Sequence, residues 1–487
     1  MLKPAQTTVL FATSELYPFI KTGGLADVSA SLPAALQETG VDVRILTPAY
    51  PPLLEKLPQK TPRKELFLSS IGKGAELIET RHPDTQTPIY LLNYPPYFNR
   101  QGGPYQNADG EDWIDNVWRF GLLGEAAAAI GSYETKIGFM PQILHCNDWQ
   151  TGLAPAYLHF SSNKAHAKSL MTIHNLAFQG NFPPLVLPRL DLPWEAYNLQ
   201  GVEFYGHLSF MKAGLQYADA ITTVSPSYAK EIQTEALGFG FNGLLHERRN
   251  VLTGIVNGIH EKEWDTSTDV YLPQPYSLKQ PAGKHGCKKT LKKELGLDNQ
   301  DSPLIGVVSR MTYQKGLDLL LEIAPLLIAA GVQFSVLGNG EAPLEKGFRD
   351  LATRFPGRVG LNIGFDEALA HRITAGADMF VMPSRYEPCG LNQMYSQHYG
   401  TPPIVNATGG LIDTVTDYNE EPSKASGFIF YEPTAQALLT SIRQALECYK
   451  RPRIWHRIMR NGMKRDFSWR NSAQQYIEIY NRMKDSL

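Results

Sequence analysis

Residues 7–49 read TTVLFATSELYPFIKTGGLADVSASLPAALQETGVDVRILTPA, and they carry the clearest secondary-structure pattern of the chain. TTVLFAT and VDVRILTPA are short apolar runs bounded by polar residues, which is typical of buried strands. The segment between them carries apolar residues at a helical period, at Leu25, Val28, Leu32 and Leu36. A period of about 3.6 residues predicts a helix, so the stretch forms a β-α-β unit.

The same pattern returns in the second half of the chain, where LIGVVSR at 304–310 and VQFSVLG at 332–338 flank a helical segment at 317–330. Further strand-like runs are PQILHCN, SLMTIHN, DAITTVS, RVGLNIG, ADMFVMPS, PPIVNAT and GFIFYEP. Short apolar strands that alternate with helices predict parallel sheets with right-handed crossovers. We therefore expect an α/β protein with two Rossmann-like doubly wound domains, residues 1–254 and 255–465.

Composition excludes several classes of protein. The 487 residues carry 46 Lys and Arg against 48 Asp and Glu, a formal net charge of -2. No global field then attracts nucleic acid or an anionic membrane, and any bound anion must be held locally. Four cysteines without a CxxC pair indicate a reducing compartment. The first residues lack a secretory signal pattern, and the most apolar stretch, 319–338, is too interrupted to span a bilayer.

A basic loop follows the first strand of each half. Ligands of open α/β sheets bind outside the carboxyl ends of the strands, so these loops are candidate sites. In the first loop, Gly23 and Gly24 let the backbone approach a phosphate beside a helix N-terminus, and Lys21 adds a point charge. In the second, Arg310 and Lys315 provide two cations, which suit a diphosphate. A plain glycine turn and ordinary surface charge remain the alternatives.

Two further loops follow strands of the second half. Gly409, Gly410 and Leu411 lie between a strand and a helical segment and can offer backbone N–H groups, although a simple turn would look the same. Glu387, in SRYEPCGLNQMY, can accept hydrogen bonds from sugar hydroxyls. Surface charge is again the alternative. Cys389 of this motif is explained equally well as a small buried hydrophobe.

The first half has histidine and aspartate at strand ends. Asp148 and His174 follow successive strands, where they can orient hydroxyls or stabilise positive charge on a sugar carbon. Asn257 lies in a turn and can offer an amide. We interpret His145 as a packed core histidine. A metal site that combines it with Cys146, Asp148 and His174 has the spacing of no zinc signature, so no metal is expected.

Taken together, these motifs resemble the bacterial glycogen and starch synthases of glycosyltransferase family 5. The motifs that carry the resemblance are KTGGLADV at 21–28, HCNDWQTGL at 145–153, IHNLAFQG at 173–180, SRMTYQKGLDLL at 309–320, SRYEPCGLNQMY at 384–395 and NATGGLIDTV at 406–415. Their order and spacing span nearly the whole chain.

The resemblance implies a GT-B fold, in which two Rossmann-like domains face a cleft and a last helix, expected within 466–487, returns to the first domain. It implies retaining transfer of glucose from ADP-glucose to the 4-hydroxyl at the non-reducing end of an α-1,4-glucan or maltooligosaccharide. No cofactor, metal, nucleic acid or membrane partner is implied. The expected location is the cytoplasm, and association with polysaccharide granules is left open.

The resemblance also implies roles for individual residues. The diphosphate would be bound by Lys21, Gly23, Gly24, Arg310 and Lys315, with backbone donors from Gly409, Gly410 and Leu411. Glu387 would hold glucose hydroxyls, with Asn257 and His174 beside the sugar. Asp148 would lie near the reacting carbon and the acceptor, and Phe365 would stack on adenine.

Three other functions remain open at this stage. A glucan phosphorylase would need a pyridoxal-bearing lysine in the second domain, and none is evident. A GT-B transferase that uses another nucleotide sugar would carry the same loops. An inactive glucan-binding scaffold would tolerate the loss of Lys21, Lys315 or Glu387, and all three are present.

Overall fold

A computed structural model describes residues 6–485 except 59, 108 and 164. The chain forms two compact units, one of residues up to Gly258 together with those from Trp469 onward, and the other Ile259–Ser468. The division after Gly258 lies four residues beyond the predicted boundary. The reason is a close contact within the first unit, since a Cβ at Gly258 would lie 2.6 Å from the backbone nitrogen of Trp469.

The strands are β1 (Thr8–Ala12), β2 (Asp42–Pro48), β3 (Arg63–Leu68), β4 (Gly72–Arg81), β5 (Pro88–Asn93), β6 (Ile143–Asn147), β7 (Lys168–Ile173), β8 (Asn181–Phe182), β9 (Glu203–Phe204), β10 (His207–Ser209), β11 (Ala220–Thr223), β12 (Leu252–Gly254), β13 (Leu304–Val308), β14 (Gln333–Gly338), β15 (Val359–Ile363), β16 (Met379–Met382), β17 (Pro403–Asn406) and β18 (Phe428–Phe430).

The α-helices are α1 (Gly24–Glu38), α2 (Pro51–Leu54), α3 (Pro95–Phe98), α4 (Asn116–Gly131), α5 (Leu153–Phe160), α6 (Phe210–Tyr217), α7 (Pro226–Glu231), α8 (Asn242–Glu247), α9 (Ala282–Glu294), α10 (Leu317–Ala329), α11 (Ala342–Arg354), α12 (Glu367–Gly376), α13 (Asn392–His398), α14 (Gly409–Thr414), α15 (Ala435–Tyr449), α16 (Pro452–Met463) and α17 (Trp469–Asp485). None of them, within the described residues, is both long and apolar enough to cross a membrane.

The first unit is built on a nine-stranded sheet in the order β12-β11-β7-β6-β1-β2-β5-β4-β3. The seven strands from β12 to β5 are parallel, and β4 and β3 add an antiparallel edge. Strands β2 to β5 are all added on one side of β1, and β6 is then added on the other side of β1. This reversal between β1 and β6 is where an open α/β sheet binds ligands.

The last helix, α17, belongs to the core of the first unit. Its buried Trp469, Tyr476 and Tyr480 share a hydrophobic cluster with Phe11 of β1 and Leu32 of α1. These aromatic side chains, together with the buried Ala473, come from one face of the helix, because the four residues recur at three- to four-residue spacing. The helix therefore covers the sheet of the first unit beside α1.

The second unit is built on a six-stranded sheet in the order β15-β14-β13-β16-β17-β18, in which every pair is parallel. Numbered within the unit, this order is 3-2-1-4-5-6, the Rossmann arrangement. The chain reverses direction between β13 and β16. The expectation of two doubly wound parallel sheets with covering helices is thus confirmed. In each unit, the point where the strand order reverses marks where a ligand is expected to bind.

Candidate active site

An ion pair lies where the strand order of the second unit reverses, between β13 and β16. Lys315 ends a short turn after β13, and its Nζ lies 2.6 Å from Oε2 of Glu387, in the loop after β16. The same carboxylate oxygen accepts from Oγ of Ser384 at 3.0 Å. Glu387 is only 5% exposed, so the lysine compensates a buried charge. The sequence predicted separate tasks for the two residues, whereas here they bind each other.

Close backbone packing makes this pair possible. Gly316 follows Lys315 with a φ of 66°, and a Cβ there would lie 2.0 Å from the carbonyl oxygen of Pro383. Only glycine allows that approach. A bidentate ion pair also joins the loop that carries Glu387 to the first turn of α10, because the guanidinium of Arg385 donates to both oxygens of Asp318 at 2.7 and 2.6 Å.

Arg310 lies in the loop directly after β13. Its side chain is exposed, in contrast to the half-buried Lys315. Burial raises the pKa of the Tyr386 phenol, and the positive charge of Arg310 opposes that shift. The charge of Arg310 therefore acts on the same loop that carries Glu387, as the strand order predicts.

Two of the predicted backbone donors after β17 are hydrogen-bonded within the protein. The N–H of Gly410 donates to the carbonyl oxygens of Glu387 and Pro388, at 3.1 and 3.2 Å, and that of Leu411 donates to Thr408. Their contact with a diphosphate stays a prediction. A Cβ at Gly410 would lie 2.2 Å from the carbonyl oxygen of Cys389, so the glycine admits the loop that carries Glu387.

Replacing Gly410 with alanine is expected to displace this loop, to lower the thermal midpoint and to reduce the transfer rate at least about tenfold. The matched control is Gly243→Ala, because a Cβ at that helical glycine meets nothing within 4 Å. The measurements are initial rates and thermal unfolding of both variants. Equal rates for Gly410→Ala and Gly243→Ala would show that the loop tolerates the added methyl group.

Phe365 follows β15 at the same edge of the sheet. Its side chain is 79% exposed, which is unusual for so large an apolar group. The ring is thus accessible for stacking, and the predicted contact with adenine stays a prediction.

Asp148 and His174 lie close together, directly after the neighbouring strands β6 and β7 of the first unit. Oδ1 of Asp148 accepts from the backbone N–H of His174 at 2.7 Å. Asp148 has a φ of 55° and a ψ of -177°, a strained conformation for a residue other than glycine. Burial raises its pKa to about 7, and the N–H groups of His174 and Asn175 offset only part of this shift. Such a carboxyl changes its charge near neutral pH.

His174 is held as a neutral imidazole. Burial lowers its pKa to about 3. Its Nε2 lies 2.9 Å from Oδ1 of Asn147, whose amide nitrogen donates to the carbonyl oxygen of Ala12. Because the amide oxygen can only accept, Nε2 carries the proton and Nδ1 is an acceptor.

His145 is a core residue, as the sequence indicates. Its Nδ1 lies 2.8 Å from the hydroxyl of Tyr480 on α17, and its Nε2 lies 2.6 Å from Oγ1 of Thr172. Both ring nitrogens are thus engaged inside the first unit, and neither is left for a metal ion.

Glu15 is a buried carboxylate that the sequence interpretation missed. It accepts from the backbone N–H groups of Thr22 and Gly23, at 2.7 and 3.3 Å, and from the hydroxyl of Tyr105 at 2.7 Å. Of the predicted phosphate contacts of the Lys21 loop, the N–H of Gly23 is therefore bound to a carboxylate here. Glu15 lies three residues after β1, so the rule that points to strand ends could have found it.

Lys21, Gly23 and Gly24 are exposed. Nζ of Lys21 lies 3.0 Å from Oδ1 of Asp27. Asn257, in contrast, is 7% exposed, and its amide oxygen is buried with no hydrogen-bond partner among the described residues. A buried polar atom without a partner is costly, so this amide is a candidate ligand contact.

Two family models match this chain. Residues 8–247 match the family model of the starch synthase catalytic domain, and residues 288–462 match that of the glycosyl transferases group 1. The glycogen synthase of Nitrosomonas europaea is 51% identical over 479 residues, which cover 97% of each chain. That of Dechloromonas aromatica is 48% identical over 477 residues, which cover 97% of this chain and 98% of the relative.

Solved structures show the same fold. The catalytic domain of Starch Synthase IV from Arabidopsis thaliana, bound to ADP and acarbose, superposes with a TM-score of 0.87 at 30% identity and 99% coverage of both chains. Sucrose-phosphate synthase from Thermosynechococcus elongatus has a TM-score of 0.62 at 20% identity, which concerns the fold alone. Similarity along nearly the whole length shows that the chain is a glycosyltransferase with the two-domain GT-B fold and belongs to the glycogen synthase family.

Proposed function

We propose that this enzyme transfers glucose from ADP-glucose to the non-reducing 4-hydroxyl of an α-1,4-glucan, with retention of configuration. Arg310 and the Lys315–Glu387 pair at the reversal of a Rossmann-type sheet carry the proposal, because that is where such sheets bind nucleotides. The glycogen synthases of similar sequence and the starch synthase bound to ADP and acarbose support it.

The reaction breaks the bond between the anomeric carbon and the diphosphate oxygen, and forms a bond from that carbon to the acceptor oxygen. The electron pair of the broken bond leaves with ADP, and the proton of the acceptor hydroxyl goes to the released phosphate oxygen. Arg310 and Lys315 stabilise the negative charge that develops on the diphosphate. Two cations make a metal ion unnecessary for this step.

The ion pair gives Glu387 and Lys315 a joint task. A diphosphate near Lys315 competes with Glu387 for the ammonium group, and the carboxylate then accepts hydrogen bonds from glucose hydroxyls. Ser384 keeps the carboxylate in place, since it donates to Oε2 at 3.0 Å. Binding of the donor is thereby coupled to the orientation of its sugar.

We assign further roles in the reaction to residues of the first unit. Ionised Asp148 stabilises positive charge at the anomeric carbon, and neutral His174 offers Nδ1 as an acceptor for a sugar hydroxyl. The unpartnered amide oxygen of Asn257 accepts a further hydroxyl. Lys21 contributes charge to the donor site, and Phe365 of the second unit stacks on adenine. The cytoplasm is the proposed location.

The assay that tests this function measures incorporation of labelled glucose into a maltooligosaccharide. We expect ADP-glucose to exceed UDP-glucose at least about tenfold in kcat/KM, and EDTA to leave the initial rate unchanged. Preference for UDP-glucose would identify another nucleotide-sugar transferase. Glucose 1-phosphate as the effective donor would identify a phosphorylase, and no incorporation from any donor would leave a glucan-binding scaffold.

A further inference from the structure

Three potential metal ligands meet in the second unit, outside the site described above. Glu263, Glu367 and His371 each offer one ligand atom, and these three atoms lie within 4.8 Å of one another. Glu367 and His371 are one turn apart on α12, so they share a helix face. Glu263 comes from the segment just after the start of the unit.

The histidine of this cluster has a buried nitrogen that lacks a hydrogen bond. His371 is 0% exposed, and its Nε2 has no hydrogen-bond partner in the part of the chain that the structure describes. Oε1 of Glu367 lies 3.8 Å from this nitrogen, which is too far for a hydrogen bond. A buried polar atom of this kind is costly unless a ligand occupies the space beside it.

The opposite side of the ring is firmly held. Nδ1 of His371 lies 2.7 Å from Oδ2 of Asp269, which also accepts from the hydroxyl of Tyr399 at 2.6 Å. The carboxylate can only accept, so Nδ1 carries a proton, and Nε2 is the ring nitrogen that lies beside Glu263 and Glu367. A carboxylate that orients a histidine through its other nitrogen is characteristic of metal sites.

Aromatic stacking fixes the orientation of the imidazole ring further. The indole of Trp264 lies on its face at 3.7 Å between ring centres, and Tyr395 covers the other face of the indole at 3.8 Å. Stacking leaves the in-plane direction of Nε2 open. The ring is therefore held in one orientation before any ligand arrives.

We propose that Glu263, Glu367 and His371 form a site for a divalent transition metal, with Zn²⁺ as the best fit. An imidazole with two carboxylates suits zinc and its neighbours, whereas calcium and magnesium prefer sites made of oxygen alone. Three protein ligands leave a fourth position for water. Ligands about 2.0–2.1 Å from one ion are at most about 4.2 Å apart, so the half-exposed glutamates must move inward slightly.

The zinc site is independent of the proposed transfer reaction. It joins α12 to the segment that holds Glu263, so removing zinc lowers stability without changing the initial rate.

The experiment uses the full chain without a polyhistidine tag, stripped with chelator and titrated with Zn²⁺ at pH 8. Bound metal is measured by elemental analysis after gel filtration, and thermal unfolding is followed with and without zinc. We expect one high-affinity zinc per chain and a rise in the thermal midpoint of several degrees. Glu263→Gln and Glu367→Gln should each weaken zinc binding about tenfold or more.

Glu345→Gln is the matched control, because Glu345 is also a half-buried acid in the first turn of a helix of this unit, α11. It should bind zinc like the wild type. The glutamine variants keep His371 and its stacking, so loss of binding is not a consequence of unfolding. Wild-type zinc binding in the double variant Glu263→Gln, Glu367→Gln, or no zinc binding by the wild type, would overturn the proposal.

Discussion

Replacing Lys315 with methionine is expected to lower the rate of glucose transfer by about 10²- to 10³-fold, because the transition state loses a cation beside the leaving diphosphate. The variant also leaves the buried carboxylate of Glu387 uncompensated, at a cost of about 3 kcal/mol in stability. Initial rates with labelled ADP-glucose and a thermal unfolding curve measure the two effects separately.

Lys288→Met is the control that separates stability from catalysis. Lys288 and Asp378 form a comparably buried pair at 2.7 Å in the same unit, but Asp378 precedes β16, at the opposite end of the strand from Glu387. Both methionine variants should lose similar stability, and only Lys315→Met should lose the rate. Adding Glu387→Gln to Lys315→Met should restore stability and leave the rate low. A control variant as slow as Lys315→Met would contradict the assignment.

Replacing Asp148 with asparagine is expected to lower kcat by at least about 10³-fold, since the neutral amide cannot stabilise positive charge on the anomeric carbon. The fold should persist, because the amide oxygen can still accept from the N–H of His174. Steady-state kinetics with saturating acceptor, together with circular dichroism, test this expectation. A rate within tenfold of the wild type would remove Asp148 from the mechanism.

The pH dependence of Asp148 provides a second readout. Its pKa is raised to about 7 by burial, so the folded state favours the protonated form. Stability from this residue is complete below its unfolded pKa of 3.8 and is lost as pH rises through about 7. Asp148→Asn should therefore match the wild type in thermal midpoint at pH 4 and exceed it at pH 8. Wild-type activity should rise with pH up to about 7, since the ionised form is the active one.

The sequence predicted the parts of the molecule that local patterns encode. The β-α-β unit of residues 7–49 and the strand that ends at Val308 were predictable, because apolar runs and a 3.6-residue period determine these elements locally. Arg310, Lys315 and Glu387 could be placed at one edge, because the carboxyl ends of parallel strands share an edge.

The contacts between those residues could not be predicted. Lys315 and Glu387 are 72 positions apart, and their direct pairing depends on how closely two loops pack at Gly316. The N–H groups of Thr22 and Gly23 look available in sequence, but the loop folds back so that Glu15, seven and eight residues earlier, accepts from them. Gly410 likewise has its N–H engaged.

The sequence contains only part of the pattern that would identify the proposed zinc site. Glu367 and His371 are four residues apart, a spacing that places two ligands on one helix face. Their third partner, Glu263, lies far away in sequence, and the orienting Asp269 was not recognisable as such. Long-range packing brings these residues together, and no local pattern encodes it.

A crystal structure of the enzyme with ADP would show whether the cations at the reversal of the second sheet bind the diphosphate of the donor. We expect phosphate oxygens within about 3 Å of the guanidinium of Arg310 and the ammonium of Lys315, with the Lys315–Glu387 contact lengthened. A diphosphate bound away from both cations, with that ion pair unchanged, would rule out this mode of binding.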